Sequence, residues 1–454
     1  MQNKLDARRD FLRKHGIPEQ WRPVTLGEVA DLVGGGTPSR DEGRFWQGGT
    51  IPWATPTDLT ANESKYISQT AESITRVGLS SSAATLLPVG SILYTSRATI
   101  GAKAIASVPI ATNQGFASFI PCEIDGQFLY YLLDELTPII KRLGSGTTFD
   151  EVSKRDIRKV HCAIPVAKNE QTAIARILDA VDTTIEQTRE AVERSRQLRK
   201  SLIAELLSFG VDTNGQVRDS IGAAKQIART PLGLLPIKWR LSTVGAEFDL
   251  QNGFTLNENR RPRYLKRRYL RVANVQRDAL MLDDIQELEA SDAQFAPRVL
   301  EVNDLLVVEG HADRMQIGRC AKVTEEAQGL TFQNHLFRLR TSGGVLPYFG
   351  CLWLNSTHAQ RYWNARCATS SGLNTINQRM LKRLIVPVPP KHEQQIITDI
   401  VSAQRKHLET LVAKQNSLES LKKSLMHDLL TGTVRVGDNF PELIKVKSHA
   451  SHRI

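Results

Sequence analysis

The sequence has no apolar run of membrane-spanning length, which argues against a helical span. Cysteine is scarce. Cys122, Cys162, Cys320, Cys351 and Cys367 are odd in number and form no CxxC pair, so a disulfide framework is not expected and reduced thiols in a cytoplasmic protein are the simplest reading. There is no GxxxxGK(S/T) phosphate loop, which excludes the common ATPase design. There is no HExxH and no Cys/His cluster at zinc spacing, so no metal site is expected. The chain also lacks an Asn/Asp-Pro-Pro-aromatic loop of the sort that extracts an adenine for methylation. Gly34–Gly35–Gly36 is not followed by a helix, and with Pro38 close behind it reads as a turn. Asp58 with Glu63–Ser64–Lys65 faintly resembles a nuclease acid set, but its spacing is short and it reads as a solvated loop. The stretch from Met1 to Lys14 is charged and has no signal-peptide core. Acid is outnumbered by base, 48 Asp and Glu against 59 Lys and Arg, and the net charge of +11 points mildly towards nucleic acid.

The most informative feature is self-similarity. With 454 residues, 41% apolar and 24% charged, the chain is long enough for two or three folded domains. Residues 18–37 and 236–255 share nine of twenty positions at an offset of 218, among them Trp21/Trp239, Arg22/Arg240, Gly27/Gly245, Gly35/Gly253 and Thr37/Thr255. Downstream, Glu170–Gln171 and Ile174 recur as Glu393–Gln394 and Ile397 at an offset of 223. The period is too long for a solenoid, so the pattern is a duplication with pseudo-twofold symmetry.

Each copy ends in a segment with a 4-3 apolar seam. The first runs through Ile174, Leu178, Val181, Ile185, Leu202 and Leu206, and the second through Ile397, Val401, Leu408, Leu411, Leu425 and Leu429. Such a seam, free of Gly and Pro, predicts a long coiled-coil helix in each copy, of roughly 37 residues and about 55 Å. A globular domain separates the two, so they are expected to return antiparallel, with the polar seam positions Arg199, Lys422, Gln404 and Gln415 fixing register. Phe128 to Leu143 and its counterpart Tyr348 to Trp363 read as helices, and short runs such as Ile51 to Thr57 and Leu270 to Val275 as strands or extended loops. The fold class is therefore α+β, two duplicated domains joined by two long antiparallel helices. The expected boundaries are 1–166 for the first domain, 167–209 for its helix, 210–235 for a linker, 236–390 for the second domain, 391–431 for the second helix and 432–454 for a tail.

Seven cations fall within twelve residues at Arg260, Arg261, Arg263, Lys266, Arg267, Arg268 and Arg271, interleaved with Tyr264 and Tyr269 and without opposite charge. This run suits a phosphate backbone. Polar clusters able to read base edges are Arg97, Lys103, Asn113, Gln114, Thr147 and Thr148 in the first copy, and Asn274, Gln276, Arg314, Gln316, Gln333, Asn334 and His335 in the second.

Taken in order, the motifs resemble the specificity subunit of Type I restriction-modification systems over nearly the whole chain. The resemblance rests on Trp21–Arg22 with Leu26–Gly27–Glu28, Ile51–Pro52–Trp53, Ser96–Arg97–Ala98–Thr99–Ile100–Gly101, Ala111–Thr112–Asn113–Gln114–Gly115–Phe116, Leu270 to Val275, Ile317–Gly318–Arg319, Gln333 to Phe337 and Val386 to Pro390 with Glu393–Gln394. It implies two target-recognition domains, each reading half of a split duplex sequence, with helices that set the spacing and dock two modification subunits. S-adenosylmethionine, ATP and magnesium would belong to the modification and restriction subunits rather than to this chain. The alternatives are a standalone nuclease or methyltransferase, which would need a complete catalytic motif, and a coiled-coil adaptor, which leaves the polar-looped domains and the charge unexplained.

Overall fold

The computed structural model describes residues 16, 18–144, 151–212, 214–218, 227–370 and 372–436. The chain forms two compact units, Met1–Arg189 with Ala413–Ile454, and Glu190–Val412. The division passes through the middle of both long helices, Lys168–Phe209 and Lys391–Thr431, so each unit holds one globular domain with half of each helix.

In the first unit the main sheet has the spatial order Ala30–Gly34, Ala117–Pro121, Ile92–Tyr94, Lys103–Ala106, all antiparallel, with Tyr66–Ile67 added in parallel at one edge. A smaller sheet pairs Glu72–Ile74 with Ile51–Ala54, and Ile51–Ala54 in parallel with Ala111–Thr112. Trp21–Thr25 lies antiparallel to His161–Pro165 and closes the domain just before the first long helix. The helix Gly126–Arg142 is capped by Asp125, whose carboxylate accepts from the Phe128 amide, and it buries Phe128, Leu129, Leu132, Leu133, Leu136 and Ile140.

The second unit repeats this plan. Its main sheet runs Phe248–Asn252, Leu336–Thr341, Leu305–Val308, Cys320–Lys322, again antiparallel. Its smaller sheet pairs Gln286–Glu289 with Lys266–Leu270, and Lys266–Leu270 in parallel with Thr331–Phe332. Arg240–Thr243 and Ile385–Val388 close the domain. Strand order and sense thus match between the copies over the four antiparallel strands of the main sheet and over the smaller sheet, while among the described residues the fifth strand Tyr66–Ile67 has no counterpart in the second main sheet. The counterpart of the helix Gly126–Arg142 is broken in two, Pro347–Leu354 and Thr357–Arg366, where Ser356 caps the second piece by accepting from the Ala359 amide.

The residues shared by the copies have local reasons. A Cβ on Gly35 would lie 2.1 Å from the carbonyl oxygens of Thr112 and Asn113, and one on Gly253 would lie 2.3 Å from those of Phe332 and Gln333. Only glycine permits the two backbones to cross so closely. The glycine run is therefore a crossing point and not the turn that Pro38 suggested.

Gln171 and Gln394 each join domain to long helix. Gln171 Oε1 accepts from the Asp125 amide and its Nε2 donates to the Pro165 carbonyl, both at 2.8 Å. Gln394 accepts from the Leu346 amide at 2.7 Å and donates to the Pro389 carbonyl at 2.9 Å. The neighbouring glutamates take arginines. Glu170 accepts from Trp21 Nε1 and from Arg435, and Glu393 from Arg218. Both arginines belong to a repeated Gly-x-Val-Arg, at 215–218 and 432–435, a signal that the sequence reading passed over.

The apolar seam packs antiparallel within each unit. In the first, Ile174 and Leu178 share a core with Leu425 and Leu429. In the second, Leu202 and Leu206 share one with Ile397 and Val401. Truncating such a buried Leu or Ile to Ala typically costs about 2–5 kcal/mol. Ile185 is also buried, and Val181, Leu408 and Leu411 are half-buried. Lys422 reaches Asp182 across the seam at 2.6 Å, as a register-fixing pair should. Arg199 does not. It turns to the second domain and pairs with Asp278, which also takes Arg405 and the Tyr348 hydroxyl. The expected linker carries a hairpin, Ile227–Thr230 with Gly233–Pro236. Among the described residues no helix is long and apolar enough to cross a membrane.

Candidate nucleic-acid interface

In each domain the parallel strand of the smaller sheet runs straight into a polar loop. After Ala111–Thr112 come Asn113 and Gln114, and after Thr331–Phe332 come Gln333, Asn334 and His335. The glycine crossing holds the start of each loop, since Gly36 donates to the Thr112 carbonyl at 2.9 Å and Asn334 donates to the Phe254 carbonyl at 2.8 Å. A second loop meets each of these at equivalent hydrogen bonds, Ser96 N to Gly115 O and Glu309 N to His335 O, both at 2.9 Å.

In the first domain this brings together Arg97, Asn113 and Gln114, which with Pro56, Ala98 and Gly115 line a shallow pocket. Asn113 Oδ1 accepts from the Gly115 amide at 2.9 Å, and its amide nitrogen makes no hydrogen bond among the described residues. Gln114 is exposed and accepts from the Thr37 hydroxyl. Arg97 lies 3.7 Å from Glu151. Ala98 has φ of 61°, the left-handed region that a Cβ disfavours, so the tip beside Arg97 is held in a strained form. Pro56, Ala98 and Thr37 were missed in the sequence because backbone strain and a short capped helix leave no composition signal. Lys103 does not belong to the cluster. Its ammonium is buried against Asp134 at 2.7 Å and lies 3.6 Å over the Tyr130 ring, and burial pulls it below the ordinary lysine range. Thr147 and Thr148 lie outside the described residues.

In the second domain Gln333 and Asn334 are half-buried, and their side chains make no hydrogen bond among the described residues. His335 Nδ1 lies 3.0 Å from Glu309. Arg314 donates from Nε to Asn374 at 3.2 Å, and Gln316 accepts from Arg319 at 3.1 Å. Gln276 is half-buried and donates to the Ala273 carbonyl at 2.9 Å. Asn274 is not a surface reader. It is buried, its Oδ1 accepts from the Arg271 amide at 2.8 Å, and its amide donates to the carbonyls of Met281 and Asp284. Asp58 does the same work in the first copy, accepting from the Thr55 amide at 2.7 Å and from its hydroxyl at 2.6 Å. Asp58 is thus a cap and not part of an acid set, and aligning Ala54–Thr55 to Asp58 with Leu270–Arg271 to Asn274 would have shown both.

The cationic run is corrected as well. The antiparallel strand Gln286–Glu289 and its flanks bring acid to it. Arg271 pairs with Asp284, Lys266 with Glu287, Arg267 with Asp292, and Arg261 with Glu258. Arg260 donates to the Glu289 carbonyl at 2.9 Å and to Gln294 at 2.8 Å. Only the side chains of Arg263 and Arg268 form no hydrogen bond or close ion pair among the described residues, and Arg263 still acts on the Glu289 charge through space. The carboxylate of Glu289 instead accepts three successive backbone N–H groups, from Arg263, Tyr264 and Leu265, which presents Tyr264 almost fully exposed.

Those amides hold the Glu289 carboxyl below the usual carboxylate range. Its hold on the loop is therefore complete above the unfolded carboxylate pKa and is lost only as pH falls through the depressed value. Glu289→Gln is expected to speed hydrogen exchange at the amides of residues 263–265 near neutral pH and to leave the main sheet protected. Unchanged exchange there would show that the three bonds do not order the loop.

A family model described as Type I restriction modification DNA specificity domain matches residues 18–194 and again 238–420. The Type I restriction enzyme MjaIX specificity subunit of Methanocaldococcus jannaschii is 37% identical over 180 residues, 39% of this chain and 41% of that protein. The Type I restriction enzyme EcoR124I/EcoR124II specificity subunit of Escherichia coli is 32% identical over 188 residues, 40% of this chain and 45% of that one. The matched stretches thus span less than half the length of either relative. Among solved structures, the S subunit of a Type-I restriction-modification system from M. genitalium superposes with a TM-score of 0.50 at 16% identity, covering 90% of this chain and 96% of that chain. At that identity the likeness is one of fold.

Proposed function

The chain belongs to the family of Type I restriction modification DNA specificity domains, and from that premise we propose that it is the sequence-specific DNA-binding subunit of such a system, without catalytic activity of its own. Each domain reads one half of a bipartite duplex target. The two long helices set the spacing and offer docking sites to two modification subunits. S-adenosylmethionine, ATP and magnesium act in the modification and restriction subunits, and the complex works in the cytoplasm.

One observation carries this reading. The same scaffold, a parallel strand crossing a glycine, leads into different polar residues in the two copies, Asn113–Gln114 in one and Gln333–Asn334–His335 in the other. Asn, Gln and Arg side chains form paired hydrogen bonds to adenine or guanine edges, so a shared frame with different tips suits two different half-sites.

The test is a methylome. Cells carrying this chain with its modification subunits should gain methylation at one split sequence, and replacing Gln333 and Asn334 with Ala should relax one half of it only. The purified chain alone should transfer no methyl group, cut no DNA and hydrolyse no ATP. Methyl transfer by the chain alone would refute the proposal.

A further inference from the structure

The cationic run at 260–271 is largely neutralised, which raises the question of where this domain carries free positive charge. Between Glu326 and Glu393 the sequence has no Asp or Glu but eight Lys and Arg. Three of these, Arg361, Arg366 and Arg383, line one groove. One wall is the helix Thr357–Arg366 and the other is the turn of the hairpin at Pro231–Gly233. The floor is apolar at Leu384, and no acid lines the groove.

All three arginines are exposed, and none forms an ion pair among the described residues. The walls are fixed. Tyr362 donates its hydroxyl to the Met380 carbonyl at 3.0 Å, and Arg366 stacks over the Tyr362 ring at 4.3 Å. Three guanidinium groups gathered over an apolar floor repel one another unless an anion joins them. The fork of each guanidinium matches the oxygens of a phosphate.

We propose that this groove grips the phosphate backbone of duplex DNA beside the half-site read by the second domain. The argument for DNA rather than another anion is contiguity. In the same helix Gln360 donates to the Arg314 carbonyl at 3.1 Å and accepts from Arg277 at 2.6 Å. One face of the helix thus contacts the segment Arg314–Gln316, one of the base-edge clusters expected from the sequence, and the adjacent face carries the groove. The inference rests on the DNA-reading proposal and assigns the phosphate contact that sequence alone had placed at 260–271.

The test uses the full chain co-purified with its modification subunits and a duplex of random sequence. The parent complex and the triple variant Arg361→Gln, Arg366→Gln, Arg383→Gln are titrated at several salt concentrations. Each lost phosphate contact removes about 0.9 from the slope of log affinity against log salt, so the slope should fall by about two to three. The preference for the mapped target over the random duplex should stay within about twofold. If the triple variant melts early, Arg361→Gln and Arg383→Gln taken singly should each lower the slope by about one. An unchanged slope would make the groove a solvated face and overturn the inference. Loss of the modification subunit with an unchanged slope would assign the groove to an acidic protein segment and overturn it equally. If the parent shows no preference for any target, the DNA-reading proposal fails on its own, while the slope still decides the groove.

Discussion

Under the proposed function, Gly35→Ala is expected to destroy recognition by the first domain although it replaces none of Arg97, Asn113 and Gln114. The new methyl would sit 2.1 Å from two carbonyl oxygens of the crossing strand. Real Cβ contacts essentially never fall below 3.0 Å, so one backbone must move by about 1 Å, and each is anchored at a strand end, Gly35 directly after Ala30–Gly34 and Thr112 as the last residue of Ala111–Thr112. Forced overpacking of this kind costs about 3 kcal/mol or more. The displaced residues are Thr112 and Asn113, so the loop carrying Asn113 and Gln114 moves with them. Methylation at the mapped target should fall at least a hundredfold. Gly43→Ala is the control, because its Cβ would meet only the flexible end of Gln47, 3.3 Å away. If both variants methylate like the parent, the crossing is looser than drawn.

Asp278→Asn should be the most damaging single charge removal in the second unit. Asp278 is largely buried and gathers Arg199 from the first long helix, Arg405 from the second and the hydroxyl of Tyr348. Its φ is 60°, which Asn tolerates well and Ala does not. Asn therefore keeps the backbone and removes only the charge, leaving two arginines without their carboxylate. Breaking a buried pair from one side costs about 3–5 kcal/mol, moderated here because Arg405 is 41% exposed. About 3 kcal/mol corresponds to a drop in Tm of roughly 6–12 °C for a unit of this size. A change of under 2 °C in a thermal melt would mean that the domain is held to the helices by apolar packing alone.

How much of this was legible in the sequence depended on range. The long helices were legible because a 3.5-residue period is local and the seam residues Ile174, Leu178, Ile397 and Val401 meet partners of the same kind. The duplication was legible because Trp21, Gly35 and Gln171 hold positions that tolerate little change, although their tasks emerged only with strand pairing. The charge balance of the cationic run was not legible because its neutralising acids, Asp284 to Asp292, lie well downstream and arrive through an antiparallel register that no local pattern announces. Asn274 was misread because a side chain that can bond a base can equally cap a short helix, and Lys103 because its partner Asp134 lies on a helix thirty residues away. The polar clusters Asn113–Gln114 and Gln333–Asn334–His335 were legible as clusters because their members are adjacent in sequence, and the pairing of the strands before them places each at the end of a parallel strand.

The clasp between Arg435 and Glu170 bears on how the chain is made. Synthesis proceeds from the N-terminus, and domains usually fold in that order. Here the core around Ile174 and Leu178 lacks Leu425, Leu429 and Leu430 until residue 430 has been made. The second unit, Glu190–Val412, is continuous in sequence and has all its parts as soon as residue 412 leaves the ribosome. At 5–20 residues per second, the first domain waits tens of seconds for its helical partner. During that interval Ile174 and Leu178 keep their first-domain neighbours but lack the leucines of the second helix, and the half that is started first is completed last.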